Sequence, residues 1–481
     1  MLSHIVRKIR ESDSIRDVLG RVRGAREPLR TGGLVGSSTS IFAGILHEDL
    51  GVTTAIICPE DCEGIREDLE SLLGEDRVFY FPDWEILPYD EFSPHDAIVG
   101  TRLETLAALL DGRTGVVVIP IRAFLRQIMP PEDLAESIVY VRLKDRLEPR
   151  DLIAKLVEMG YSRHSVVEDV GGFAMRGGIV DVFPQGRENP VRIELFGDKV
   201  ESIRDFDPVT QRSVGKIEAV RLLPAKEVLM TEASAGRFMS ALKGRRLKGK
   251  HVEDVALHVK DRFFFDGIEA YAQHFYSGPA TITSYLPDDA AYVLLDPVSL
   301  EARAESISAE TEARFKEGKG RAGGLPLPEA VFLGIDEARS RLSIGPGLNR
   351  VLEVPALKTG PDTPWLDFRS PESFGGSLKV LNSVIEEAIG ENYEVHILCD
   401  NIGQAERLEE VVSAGETAPG GGTVTIGVGG LRKGFVFPEA GLKVLTDHEI
   451  FGRYRRKPRY PRFRGEGPLE SYRALSAGDF V

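Results

Sequence analysis

The chain has 481 residues, too many for one hydrophobic core, so roughly three or four domains are predicted. Its net charge of −15 excludes the chain as a whole from acting as a non-specific DNA-binding surface, because neutralising phosphates takes clustered Lys and Arg. Its three cysteines, Cys58, Cys62 and Cys399, show no paired zinc spacing, so they read as thiols in a reducing cytoplasm, Cys58 and Cys62 as buried ones, without a disulfide framework.

The first 30 residues read as one or two amphipathic helices with Ile5, Ile9, Ile15 and Val18 on the apolar side. They are charged and lack the apolar centre of a signal peptide. No apolar run in the chain approaches bilayer length, so no membrane partner is expected. Residues 31–46, TGGLVGSSTSIFAGIL, stand before a helix and ahead of a strand at 53–58, which is the setting of a phosphate-binding loop. Such a loop needs glycines for close backbone approach, a Lys for the phosphates, then Ser or Thr for magnesium. Gly33, Gly36, Ser37 and Ser38 supply part of this, but Ser37 stands where the Lys belongs. Two readings follow: a degenerate P-loop that does not hydrolyse ATP, or a loop that only caps a helix, which is preferred.

Residues 78–96, VFYFPDWEILPYDEFSPHD, read as a strand leaving a sheet edge into an aromatic, proline-rich loop. Ser93 is placed as the cap of the next helix, with Asp96 three residues on. That helix carries Ile98, Leu103, Leu106 and Leu110 on one side. His95 has no nucleophile or metal ligand spaced to support catalysis and reads as a surface or capping residue. Residues 116–120, VVVIP, are a buried parallel strand, and the alternation implies an α/β layer.

From about 137 to 225 the chain turns strand-rich. Gly171-Gly172, Gly177-Gly178 and Pro184-Gln185-Gly186 punctuate short β-rich runs, an antiparallel meander. Val191, Ile193 and Leu195 alternate with Arg192, Glu194 and Phe196. Arg163 and Arg176 are placed on the polar side, where a guanidinium on a rigid sheet can grip a partner carboxylate or simply be solvated. Phe173 and Phe183 read as apolar contacts for a partner or as core.

Residues 226–368 are α/β again. Their aromatic clusters 263–269 and 271–276 have acidic or neutral neighbours and read as core rather than base-stacking platforms. Asp296 ends a short apolar strand where a magnesium-binding aspartate could sit, a weak signal without the lysine. A small α/β domain is predicted over 369–452, with strands at 393–401, 423–428, 434–438 and 442–446. Asp447, His448 and Glu449 are consecutive and cannot all face one ion, so no metal site is expected. Residues 453–470 carry the one basic run and read as an extended linker, and 471–481 begin another domain.

These strings carry a resemblance. Tyr161-Ser-Arg163, Gly172-Phe-Ala-Met-Arg176-Gly177, Val180-Asp-Val-Phe-Pro184 and Ile193-Glu-Leu-Phe-Gly-Asp198 resemble the UvrA-binding domain shared by UvrB and the transcription-repair coupling factors. The string at 78–96 resembles coupling factors more than UvrB, and that at 447–452 resembles a coupling-factor signature. The resemblance implies an α/β multidomain chain: a degenerate, UvrB-like P-loop module (1–136 and 226–368) with an inserted β-rich UvrA-binding domain (137–225), then the small domain, linker and start of an RNA-polymerase-interacting domain. It implies UvrA contacts at Arg163, Arg176 and Phe183; a third arginine of UvrB is Ala174 here. It also implies a role in transcription-coupled nucleotide excision repair at polymerase stalled on lesions. RNA polymerase and double-stranded DNA would be partners through regions absent from these residues, including an ATP- and magnesium-dependent translocase motor. No catalytic residue or cofactor is assigned to this chain, which is placed in the cytoplasm. The rivals are a UvrB-like repair subunit with a decayed P-loop and an intact ATP-dependent enzyme, for which the lysine and a paired acidic motif are missing.

Overall fold

A computed structural model describes residues 1–60, 62–243, 250–318, 324–343, 350–358, 360, 363–412 and 422–452. The basic linker at 453–470 and the segment 471–481 lie outside the described residues. The chain divides into two compact units, and Ser137–Lys226 forms the described part of the second.

The first unit is built on a six-stranded sheet in the order Leu29–Arg30, Val351–Val354, Ala291–Leu295, Thr54–Cys58, Val116–Pro120, Val78–Tyr80, with every pairing parallel. The strands Thr54–Cys58 and Ala291–Leu295 are buried along their whole length, as continuous apolar runs covered on both faces must be. Strands from before and after the second unit interleave in this sheet, so the β-rich unit is an insertion into one α/β layer. A second sheet, in the order Thr423–Val428, Glu394–Cys399, Leu442–Thr446, Phe435–Phe437, is parallel except for its last pair. One core serves both sheets: Ile41, Ile45 and Ile56 of the first layer pack with Leu398, Phe435, Phe437 and Val444 of the second, and Ile5 and Ile9 of the N-terminal helix join them.

The aromatic loop after Tyr80 is interior. Trp84 is 2% exposed and donates its indole N–H to Glu227 at 2.6 Å. Arg102, fully buried, clamps both oxygens of Glu227 at 2.5 and 3.1 Å and lies over the rings of Phe81 and Trp84. A buried charge is tolerable only when paired in this way. The next helix, Asp96–Leu110, is capped by His95, whose Nδ1 accepts from Ala97 N–H at 3.2 Å. This corrects the placement of Ser93 as the cap: its hydroxyl is held between Glu269 and Gly267 N–H instead. Cys58 and Cys62, expected as thiols, are joined in a disulfide. Four residues of spacing at a strand-to-helix turn bring the sulphurs together. No helix among the described residues is long and apolar enough to cross a membrane.

The second unit is a six-stranded sheet, Ser213–Ile217, Lys199–Phe206, Val191–Phe196, Ile179–Val182, Gly172–Arg176, Ser162–Arg163, antiparallel between neighbours except for the last, parallel pair. Its two faces are covered unequally. Phe173, Val180, Val182 and Ile193 pack with Leu152 and Leu156 of the helix Pro149–Glu158, while Ala174, Phe183, Phe206 and Val167 form a smaller cluster. Asp181, 4% exposed, receives two hydrogen bonds from Arg192 at 2.7 and 2.9 Å, and that guanidinium stacks over Phe206.

Candidate functional site

The loop before the helix Ser38–Leu50 is shaped by two glycines. Gly33 and Gly36 both have positive φ, +84° and +54°, which only glycine adopts freely. What fills the space beyond them is protein. A Cβ on Gly33 would lie 1.8 Å from the Leu366 carbonyl oxygen, and one on Gly36 would lie 2.5 Å from that of Gly434. Ser37, 1% exposed, exchanges two hydrogen bonds with the backbone of Lys433: its N–H donates to the Lys433 carbonyl at 3.3 Å, and its hydroxyl accepts from Lys433 N–H at 3.0 Å. Ser38 closes on the loop itself, its hydroxyl donating to Val35 carbonyl at 2.7 Å and accepting from Val35 N–H at 2.8 Å.

Asp68 completes the arrangement from the helix Glu63–Leu73. It accepts from Ser40 at 2.9 Å and from Arg432 N–H at 2.8 Å. Burial pushes its carboxyl up to about 6, against the hydrogen bonds of Ser37, Arg432 and Ser40, which pull it down. A phosphate loop attracts anions through free N–H groups at a helix start. Here the N–H of Ser37 is used by the second sheet's own chain, and a carboxylate stands beneath. Asp296 likewise serves its own helix, accepting from Ser299. Of the three consecutive residues 447–449, Asp447 and His448 approach Asp400, while Glu449 accepts from Gly434 N–H at 2.7 Å and from Thr446. Glu449 thus holds the segment that covers the loop.

In the second unit, Arg163 lies on the edge strand and Arg176 at the end of its neighbour, both exposed. Arg163 pairs with Phe173, so the two arginines are offset by three positions. An odd offset points them to opposite faces of the strand edge, rather than to one polar side as expected. Arg176 donates to the Ser165 carbonyl at 2.5 Å, which ties it to the segment that follows Arg163. Phe183 is a correction. It is 0% exposed, just past the strand Ile179–Val182 and packed with Ala174 and Phe206 in the small cluster on the second face; it has no surface to offer a partner. Tyr161 is also core: its hydroxyl donates to Leu223 carbonyl at 2.6 Å, and burial pushes its phenol upward. Sequence reasoning missed Asp68 and the 430–434 segment. The four glycines and the basic pair around 427–434 were a signal of close backbone approach, without any indication of what they approach.

Residues 139–228 match the family model of the UvrB interaction domain, so the inserted unit is of that class. Over most of its length the chain is similar to transcription-repair-coupling factors: 28% identical to that of Bacillus subtilis, across 98% of this chain and 42% of the relative; 29% to that of Myxococcus xanthus, across 90% and 40%; and 32% to that of Escherichia coli, across 67% and 28%. The chain matches the N-terminal part of a transcription-repair coupling factor, with the UvrB interaction domain inside it. It spans less than half the length of these relatives.

Proposed function

We propose that this chain is the recruiting part of a transcription-repair coupling factor and that its inserted unit binds UvrA along the strand edge bearing Arg163 and Arg176. The observation that carries the reading is the family match over 139–228 on a unit that keeps both guanidinia at its surface. Each can form a charge-assisted pair with a partner carboxylate, and their opposite facing suits a partner that wraps the edge. Displacement of stalled RNA polymerase and ATP-driven movement on double-stranded DNA are proposed for the whole coupling factor, outside these residues. ATP and magnesium would bind that motor and not the loop at Gly33–Ser38, whose N–H groups serve Lys433 and Val35. Calorimetric titration of UvrA into the chain tests the reading: tight binding by the parent and a loss of more than about tenfold in each of Arg163→Ala and Arg176→Ala. Equal affinity in both variants, at low and physiological salt, would remove the edge from the interface. Titration of ATP-Mg into the same chain should give no saturable heat; stoichiometric binding overturns the reading of the loop.

A further inference from the structure

Away from the filled loop, three side chains meet where the N-terminal helix Leu2–Glu11 packs near the strand Glu394–Cys399. Glu394 and His396 are two apart on that strand and share a face. His4 reaches them from the helix, its Nε2 lying 2.8 Å from Glu394 Oε2, and His396 Nε2 stands 3.5 Å from the same oxygen. One ligand atom from each of the three lies within 4.8 Å of the other two. The second, independent observation is His396 itself. It is 5% exposed, yet beyond the long contact of Nε2 to Glu394 neither ring nitrogen has a hydrogen-bond partner, and a buried polar atom left unsatisfied is costly.

We propose that His4, Glu394 and His396 form a binding site for a zinc-class divalent cation that clips the N-terminal helix to the second sheet. Two imidazoles and one carboxylate are a borderline donor set; calcium and magnesium prefer all-oxygen shells. Water would complete the tetrahedron. Lys8 holds the other oxygen of Glu394, Oε1, at 2.8 Å, which leaves Oε2 for the cation but places an opposing charge beside it. Arg7 donates to His4 Nδ1 at 3.1 Å. Binding at Nε2 moves the ring proton to Nδ1 without net release, and Arg7, on an exposed stretch of helix, turns away. A second group, Asp400, Asp447 and His448, also brings ligand atoms together, and the ring nitrogens of His448 likewise lack a hydrogen-bond partner, but His448 Nε2 stands closer to its carboxylate, 3.0 Å from Asp400, and its ring is less deeply buried than that of His396.

The test is titration of the untagged, chelator-stripped chain with zinc chloride, with melting curves in zinc and in chelator. His4 is half-buried in the first helical turn and its replacement leaves the core intact. The parent should take up one equivalent at this site and gain melting temperature. His4→Ala should bind at least about tenfold more weakly and lose the zinc-dependent gain, Lys8→Met should bind more tightly, and His448→Ala should bind like the parent. Absence of saturable uptake, unchanged affinity in His4→Ala, or loss of the equivalent in His448→Ala in its place overturns the assignment.

Discussion

The start of the helix Ser38–Leu50 and the edge of the meander at Ser162–Arg163 both offer polar groups in a form suited to a partner. At the helix start the partner is the chain itself: Lys433 takes the N–H and hydroxyl of Ser37, Glu449 holds Gly434, and Asp68 is buried beneath. At the meander edge the guanidinia of Arg163 and Arg176 reach solvent, and the hydrogen bond of Arg176 goes to the backbone carbonyl of Ser165, in the connection after the edge strand. The difference separates two fates of a recognition element. A site whose donors are satisfied internally has become architecture, and mutating it should unfold. A site whose donors are left outside costs little to mutate unless the partner is present.

The hardest test of the architectural half is Gly33→Ala. The new Cβ would meet the Leu366 carbonyl at 1.8 Å on a backbone with φ of +84°. Strain of about 1–3 kcal/mol adds to a backbone displacement of similar size, so the expected loss is about 4 kcal/mol, read as a fall in the melting of the first unit. A melting curve like the parent's would mean that the loop is open and the comparison fails. The arginines should behave oppositely. Arg163→Ala and Arg176→Ala should each cost about 2 kcal/mol of UvrA binding, the low end for truncating one partner of a charge pair, while changing stability by less than about 0.5 kcal/mol. Arg176→Lys should restore part of the binding, because an ammonium keeps the charge and loses the planar fork. Full restoration would reduce the contact to simple charge attraction.

Much of this division was legible in the residues. The α/β layer followed from buried runs such as residues 116–120, and the meander from its Gly-Gly punctuation and the alternation around Ile193, while the insertion of one into the other was implied only by the family resemblance. Ser37 in place of the lysine marked the loop as a departure from the phosphate-binding pattern. What occupies it could not be read, since Gly36 and Gly434 are joined only by folding and glycine carries no pattern beyond permissiveness. Phe183 was ambiguous for a related reason: alternation tells which residues share a face, and here the second face of the sheet carries a small buried cluster of its own. The Cys58–Cys62 bridge was missed because four-residue spacing resembles neither a zinc pair nor a secreted framework. The facing of Arg163 and Arg176 depended on a register between a two-residue strand and its neighbour, which no sequence period specifies.

The finest test concerns the charge beneath the loop. The Asp68 carboxyl is pushed up to about 6 in the folded chain from an ordinary value of 3.8, with burial as the main cause. Below 3.8 both folded and unfolded states hold the proton and the group contributes nothing. Between 3.8 and about 6 the folded state keeps a proton that the unfolded state releases, so stability falls as pH rises. Above 6 the buried carboxylate is ionised and the full cost is present, each tenfold change in proton affinity being worth about 1.4 kcal/mol. Asp68→Asn keeps an acceptor for Arg432 N–H, lets Ser40 turn to accept, and carries no charge. After losing charge-assisted bonds it should still be about 1–2 kcal/mol more stable than the parent at about pH 8, with that advantage vanishing near pH 4. Glu394 has the opposite sign. Burial works against its charge, but hydrogen bonds from Lys8 and His4 outweigh it and hold the carboxyl down to about 2, so its contribution is lost only as pH falls below 4.5 toward 2, largely outside the Asp68 window. Melting temperatures of parent and Asp68→Asn from about pH 4 to 8 therefore isolate the group. Parallel profiles would mean that the carboxylate is solvated and the space above Ser37 is open to water, which would return the loop to the class of sites awaiting a ligand.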